Sequence, residues 1–405
     1  MKITFLSNYM NHHQIPLCRA LRRELGDDFI FIQTEPMEEE RLRMGWNAAD
    51  ADLAFVLRGD TASSDEQLRE KIRERVLGCD ILLAGWAPAA ADLIVERVRA
   101  GKITFRISER IYKDGQWKAI SPRGLLSKWK EYSRFRRAPY YLLCAGAYVA
   151  SDFKLIGAFP RKMLRWGYFP QVRTYAEGDL QRIKRSRPLG EEAQLIWAGR
   201  FVDFKNPWMI PELVNRLDDK GASFHLHIAG GGEGEEEMRR SLAEKGLDRY
   251  VTFHGFMPPD AVRDLMEQCD IHVMTSDAGE GWGAVLNESM NSGCAVAAGT
   301  EAGAVPYLVR NGVNGLLYEH RDLEALTEAV LRLVNDAALC EKLGQEACRT
   351  VTELWNAETA AERLLQVCDT LLKEGSPAAE GKLPDPVWQD GPMSRDPVLR
   401  PYLKV

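Results

Sequence analysis

Two carboxylates, Glu280 and Glu288, flank a glycine-rich turn, with seven residues between them and Gly281-Trp282-Gly283 directly after the first. Glycines at that density let a backbone approach an anion closely. A helix starting near Ala284 would add free N–H groups and the positive end of its dipole. A carboxylate can accept paired hydrogen bonds from vicinal hydroxyls. These residue types suit a ligand that carries sugar rings beside a phosphate. Taken alone, the two acids also fit a turn with solvated flanks.

A second group is Gly199-Arg200, followed by Lys205-Asn206-Pro207. Arg200 and Lys205 are expected as exposed loop cations ahead of a helix that Pro207 starts at its first position. Two cations beside a helix N-terminus make a pyrophosphate site without any metal. By themselves they also read as ordinary surface charges.

A third group, Asn11-His12-His13-Gln14, lies between the first strand and a helix. Pro16 is tolerated only in a helix's first turn, which puts that start close to residue 13. Adjacent histidines serve either as ligand-facing acid–base groups or as packing. Glu109 and Arg110 follow the fifth strand and stand with them as acceptor-side candidates. The run Ile228–Met238, IAGGGEGEEEM, imitates a dinucleotide fingerprint, but four glutamates crowd its helix start and would repel a pyrophosphate. It reads as a capped turn. Neither an Asp-x-Asp at a strand end nor a His/Cys cluster points to a metal.

These groups need a frame. Apolar runs at 3–7, 28–33, 53–58, 80–85 and 103–108 alternate with amphipathic segments, and the pattern restarts at 194–199, 224–230, 250–255, 270–276 and 294–299. Strands separated by helices imply parallel sheets covered on both faces. The expected fold is α/β, two doubly wound Rossmann-like domains, and 405 residues are enough for two such cores. Residues 1–172 form the first domain, 173–193 a polar linker, and 194–353 the second domain. Residues 354–374 form a closing helix and 375–405 a Pro-rich tail or surface strap.

In this frame the two principal motifs sit where ligands of open α/β sheets bind, outside the carboxyl ends of strands. Together they resemble family four of the retaining glycosyltransferases, which have the two-domain GT-B architecture. The resemblance rests on the Gly-Arg…Lys loop and on Glu-x7-Glu with Gly-aromatic-Gly after its first Glu. It continues through FHGFM (253–257) and VRNGVNGLLY (309–318), is strong over 194–320 and is weaker before that. It implies two domains facing across a cleft, with the donor nucleotide on the second and the acceptor on the first. Arg200 and Lys205 would hold the donor diphosphate, Glu280 the donor sugar and Glu288 the ribose. Gly199, Gly281, Trp282, Gly283, Ala284 and Val285 would line the phosphates, and Phe256, in the turn after Gly255, the base. The segment after Trp355 would cross back to the first domain. The resemblance implies no resident cofactor and a nucleotide-sugar co-substrate, with uridine diphosphate as the default. The first domain departs from the family: SNYMNHHQIP (7–16) stands where many members carry a Gly-Gly loop.

A GT-B sugar-nucleotide epimerase is the rival enzyme reading, and a nucleotide-sugar-binding protein the rival outside catalysis. A phosphorylase is disfavoured because no segment offers a lysine site for pyridoxal phosphate. A nicotinamide dehydrogenase is disfavoured by the acidic glycine loop. Scattered cysteines, a formal charge of −6 and a short first apolar run favour a cytoplasmic protein and disfavour a nucleic-acid binder. The charge is uneven, since residues 97–165 hold 17 Lys and Arg against four acids. Within them SPRGLLSKWKEYSRFRR (121–137) fits a helix resting on anionic lipid, or a groove for an anionic or lipid-linked acceptor. It also fits a solvated basic face that packs its aromatics inward.

Overall fold

The computed structural model describes residues 1–39, 53–60, 65–113, 115–186, 191–319, 321–373 and 388–401. The chain divides into two compact units, Met1–Gln171 together with Ala357–Leu403, and Val172–Asn356.

Among the described residues the first unit holds seven parallel strands: β1 (Ile3–Ser7), β2 (Phe29–Gln33), β3 (Val56–Arg58), β4 (Ile81–Ala84), β5 (Thr104–Ser108), β6 (Tyr140–Ala145) and β7 (Met163–Trp166). Their order is β3-β2-β1-β4-β5-β6-β7. Every residue of β1, β4 and β6 is buried, as expected of strands covered on both faces. The winding reverses between β1 and β4, so the loops after these two strands are neighbours. The sequence reading did not include β6 and β7, although β6 is an uncharged apolar run.

The helix Ile15–Leu25 begins two residues later than expected. Gln14 and Ile15 both donate their N–H to the Asn11 carbonyl, at 2.9 and 3.2 Å, which inserts a turn ahead of it. The helix Ala357–Lys373 packs against it, with an ion pair between Arg23 and Glu358. The described part of the expected tail is a strap on the edge strand β7. Arg165 exchanges backbone hydrogen bonds with Met393 and Ser394, at 2.9 and 2.8 Å, and its guanidinium meets Asp390 at 2.6 Å. Residues 375–387 and 402–405 of that tail, with residue 374 of the expected closing helix, lie outside the described residues.

The second unit holds β8 (Ala193–Ala198), β9 (Phe224–Ala229), β10 (Val251–Gly255), β11 (Ile271–Met274), β12 (Ala295–Gly299) and β13 (Leu316–Tyr318), in the order β10-β9-β8-β11-β12-β13. Leu195, Trp197, Ile228 and Val273 share its main core with Leu213, Leu326 and Leu343 from the flanking helices. The stretch expected as a linker, 173–193, is built into this unit. It carries a helix, Asp179–Arg185, packed on the helix Pro259–Gln268, while Arg173 is held by Asp264 at 2.6 Å and Glu267 at 2.8 Å. None of the eight cysteines forms a disulfide. Among the described residues no helix is long and apolar enough to cross a membrane.

Candidate functional site

The winding of the second sheet reverses between β8 and β11, which pair directly. This adjacency brings the Gly199–Pro207 loop and the Thr275–Gly283 loop side by side at the carboxyl ends of the strands. Polar side chains hold the two loops together. Trp197 donates its indole N–H to Thr275 Oγ1 at 2.9 Å, and that hydroxyl donates to the Lys205 carbonyl at 2.5 Å. Asn206 donates to the Thr275 carbonyl at 2.9 Å. Asp277 accepts from Gly279 N–H at 2.8 Å and pairs with Arg321.

The loop differs from expectation at Pro207. A 3-10 turn, Asp203–Lys205, comes first, and Asn206 follows with a φ of 47°. The α-helix therefore starts at Met209 rather than at the proline. Asn tolerates the left-handed region better than most residues, so Asn206 was the available signal for this break.

Lys205 and Glu280 meet at 2.5 Å, with their side chains only 13% and 14% exposed. Ser276 donates to the same Glu280 oxygen at 3.2 Å. Lys205 is therefore not the exposed loop cation expected. Arg200 is half-buried at the end of β8. The helix Ala284–Asn291 begins from Gly283, whose φ of 93° favours glycine, and it has neither a side-chain cap nor an acid in its first turn. A cation, a carboxylate and an acid-free helix start thus converge on one turn. An anion and a polyhydroxyl group can be held there together.

Glu288 is half-buried on that helix. Burial pushes its carboxyl up to about 7, against the opposing pull of Arg263 and Arg173. Phe256 follows Gly255 and is 62% exposed, leaving a flat apolar ring at the carboxyl edge of β10. Gly281 is buried, and Ala284 and Val285 are half-buried. Trp282 differs from its expected place at a ligand. Its indole is buried, donates to Asn287 at 2.9 Å and lies beside Tyr307 and Trp355. Its side chain props the turn from behind, and only its backbone remains for a ligand.

The capped-turn reading of Ile228–Met238 has a steric basis. A Cβ on Gly230 would collide with the Gly199 carbonyl oxygen, and one on Gly232 would press on Phe201 at 3.0 Å. These glycines let two loops pack closely.

In the first unit, His12 and His13 occupy the turn after β1, with ring centroids 3.8 Å apart. His13 lies parallel to Tyr168 at 6.0 Å, and the Tyr168 hydroxyl donates to Glu109 at 2.6 Å. Lys113 holds the other Glu109 oxygen at 2.5 Å. Tyr168 thus links two expected residues and was missed, since a lone tyrosine beyond β7 carries no motif. Arg110 does not join them. It is buried and paired with Asp152 at 3.3 Å, where it anchors the loop after β5.

The family model for glycosyl transferases group 1 matches residues 180–350. The chain is 31% identical over 192 residues to a GDP-mannose-dependent alpha-(1-6)-phosphatidylinositol monomannoside mannosyltransferase of Mycobacterium tuberculosis, covering 45% of this chain and 49% of that one. It is 28% identical over 169 residues to the lipopolysaccharide core biosynthesis glycosyltransferase LpsE of Rhizobium meliloti, covering 42% of this chain and 47% of that one. The chain thus spans about half the length of these curated relatives. Among solved structures, HepE of Anabaena in complex with UDP superposes with a TM-score of 0.69 at 17% identity, over 92% of this chain and all of that one. At that identity the likeness is one of fold, two Rossmann-like parallel-sheet units of the GT-B type.

Proposed function

We propose, from the match of residues 180–350 to the family model for glycosyl transferases group 1, that the chain transfers a sugar from a nucleotide-diphosphate donor to a hydroxyl acceptor. The observation that carries this reading is the Lys205–Glu280 contact of 2.5 Å beside the turn that starts the helix Ala284–Asn291. A diphosphate sugar carries the groups that would exchange with this pair. The diphosphate takes over Lys205, and the sugar hydroxyls take over Glu280.

In the reaction, the bond between the anomeric carbon and the diphosphate oxygen breaks while the acceptor oxygen bonds to that carbon. Negative charge grows on the leaving diphosphate, where Lys205, Arg200 and the backbone of the Gly281–Gly283 turn stabilise it. The acceptor's proton leaves with the departing diphosphate. Two cations supply the neutralisation, so no metal enters the scheme. Glu288 accepts from the ribose hydroxyls and Phe256 flanks the base. Attack on the face from which the diphosphate departs retains the anomeric configuration and needs no protein nucleophile.

UDP is our first choice of nucleotide because HepE, a protein of like fold, binds it. GDP is the second, from the mannosyltransferase relative. The acceptor is assigned to the first unit, near Glu109, His12 and His13, and is taken to be a glycan or a lipid-linked sugar.

A thermal-shift panel of UDP, GDP, ADP, CDP and NAD tests the donor assignment. A nucleotide at about 100 times its Kd adds about 2.7 kcal/mol of apparent stability. UDP or GDP should shift the transition, and the shift should persist in EDTA. A response to NAD alone would overturn the reading. A product whose anomeric configuration is inverted would remove the retaining mechanism alone. Epimerised free sugar nucleotide, with no transfer to any acceptor, would favour the epimerase alternative.

A further inference from the structure

The helix Pro122–Glu131 has no buried residue. Surface helices ordinarily turn an apolar stripe toward a core, yet Leu125, Leu126 and Trp129 are 39%, 53% and 51% exposed. Trp117, on the 3-10 turn that leads into the helix, is 68% exposed. The segment is anchored just beyond the helix. Tyr132 is buried edge-on against Phe153 at 5.1 Å, and Ser133 donates to the Ile156 carbonyl at 2.6 Å. The aromatics that could pack inward have done so at Tyr132, which leaves the helix's own apolar residues facing out.

Charge surrounds this apolar face. Residues 117–137 contain seven Lys and Arg and a single acid, Glu131, which Lys128 engages at 3.2 Å. Arg123, Lys130, Arg136 and Arg137 have no carboxylate partner among the described residues. Trp129, Ser133, Arg134, Arg136 and Arg137 line a cavity of about 460 Å³ at the end of the helix.

We infer that this face docks on an anionic lipid bilayer. Leucines and an indole side by side suit the boundary between acyl chains and headgroups, and the ring of cations suits anionic headgroups. The cavity beside Trp129 offers guanidinium groups to a headgroup phosphate. A nucleic acid would satisfy the cations but leave Leu125 and Leu126 in water. This surface is separate from the residues assigned to donor and acceptor and goes beyond that reading.

The test is co-sedimentation of the full chain with phosphatidylcholine vesicles, with and without phosphatidylglycerol, at low and high salt. The chain should pellet with the anionic vesicles at low salt and be released as salt rises. Each neutralised cation should lower the partition coefficient about fivefold. Arg136→Gln/Arg137→Gln should therefore bind about 25-fold more weakly. Leu126→Ser/Trp129→Ser should lose binding at every salt concentration. All these side chains are exposed or half-buried, so thermal unfolding and transfer to a soluble acceptor should match the parent. Equal pelleting with neutral vesicles, no pelleting with anionic ones, or retention on RNA without vesicle binding would overturn the inference.

Discussion

Lys205 and Glu280 neutralise each other where little water reaches them. Removing one partner strands the other's charge, which costs more than losing a surface contact. Lys205→Ala and Glu280→Ala should each lower stability in urea by about 1–3 kcal/mol. The double variant should recover part of that loss, because neither charge is left alone. All three should lose about 100-fold or more in turnover. Single variants as stable as the parent, or an active double variant, would contradict this account. Glu288 makes a different prediction. Its carboxyl is raised to about 7, so its neutral form is favoured in the fold. Its contribution to stability is full below the ordinary glutamate value and is lost as pH rises through about 7. Ribose hydroxyls bind the carboxylate instead, so donor affinity should rise from about pH 6 to 8. Glu288→Gln should flatten that rise, and its stability relative to the parent should improve over the same interval. A donor affinity with the same pH slope in both proteins would remove Glu288 from the ribose.

The elements carry these side chains, and close loop contacts set their positions. Gly230 has a φ of 128°, and its Cα faces the Gly199 carbonyl with no room for a methyl group. Gly230→Ala should cost about 1–3 kcal/mol and should weaken donor binding by moving Gly199 and Arg200, though Gly230 itself is not assigned to the donor. Urea unfolding and nucleotide titration of one variant test both halves, and an unchanged Kd would separate this loop from the site. Here the sequence was legible in part. The glycines of Ile228–Met238 could be excluded as a phosphate loop from their neighbouring acids, but their steric purpose depends on β8 and β9 lying side by side. Strand and helix alternation was readable at apolar runs such as β8, β9 and β12. β7 and β13 were not read, because a length of three or four residues hides the period, and β6 was missed although it is a six-residue uncharged apolar run. The convergence of Lys205 on Glu280 needed the β8–β11 pairing, which no local pattern states.

The frame of two Rossmann-like units was legible because each repeats the strand–helix rhythm on its own. What the rhythm does not reveal is that the first unit is discontinuous. The helix Ala357–Lys373 and the strap at 388–401 complete it from the far side of the second unit's sequence. A chain ended after Asn356 should leave the helix Ile15–Leu25 without its packing partner and β7 without its strap. Soluble yield should fall, while nucleotide binding by Val172–Asn356 should persist in whatever remains soluble. Normal yield from the truncated chain would show that the added segments are dispensable. The same discontinuity orders events during synthesis. Residues 1–171 leave the ribosome ahead of Val172–Asn356, yet they cannot finish until about two hundred more have followed. Throughout that interval the nascent first unit offers an uncovered apolar helix face to its surroundings, whereas Val172–Asn356 emerges as an uninterrupted piece. The unit begun ahead of the other is completed after it, so its apolar helix face stays uncovered the longer.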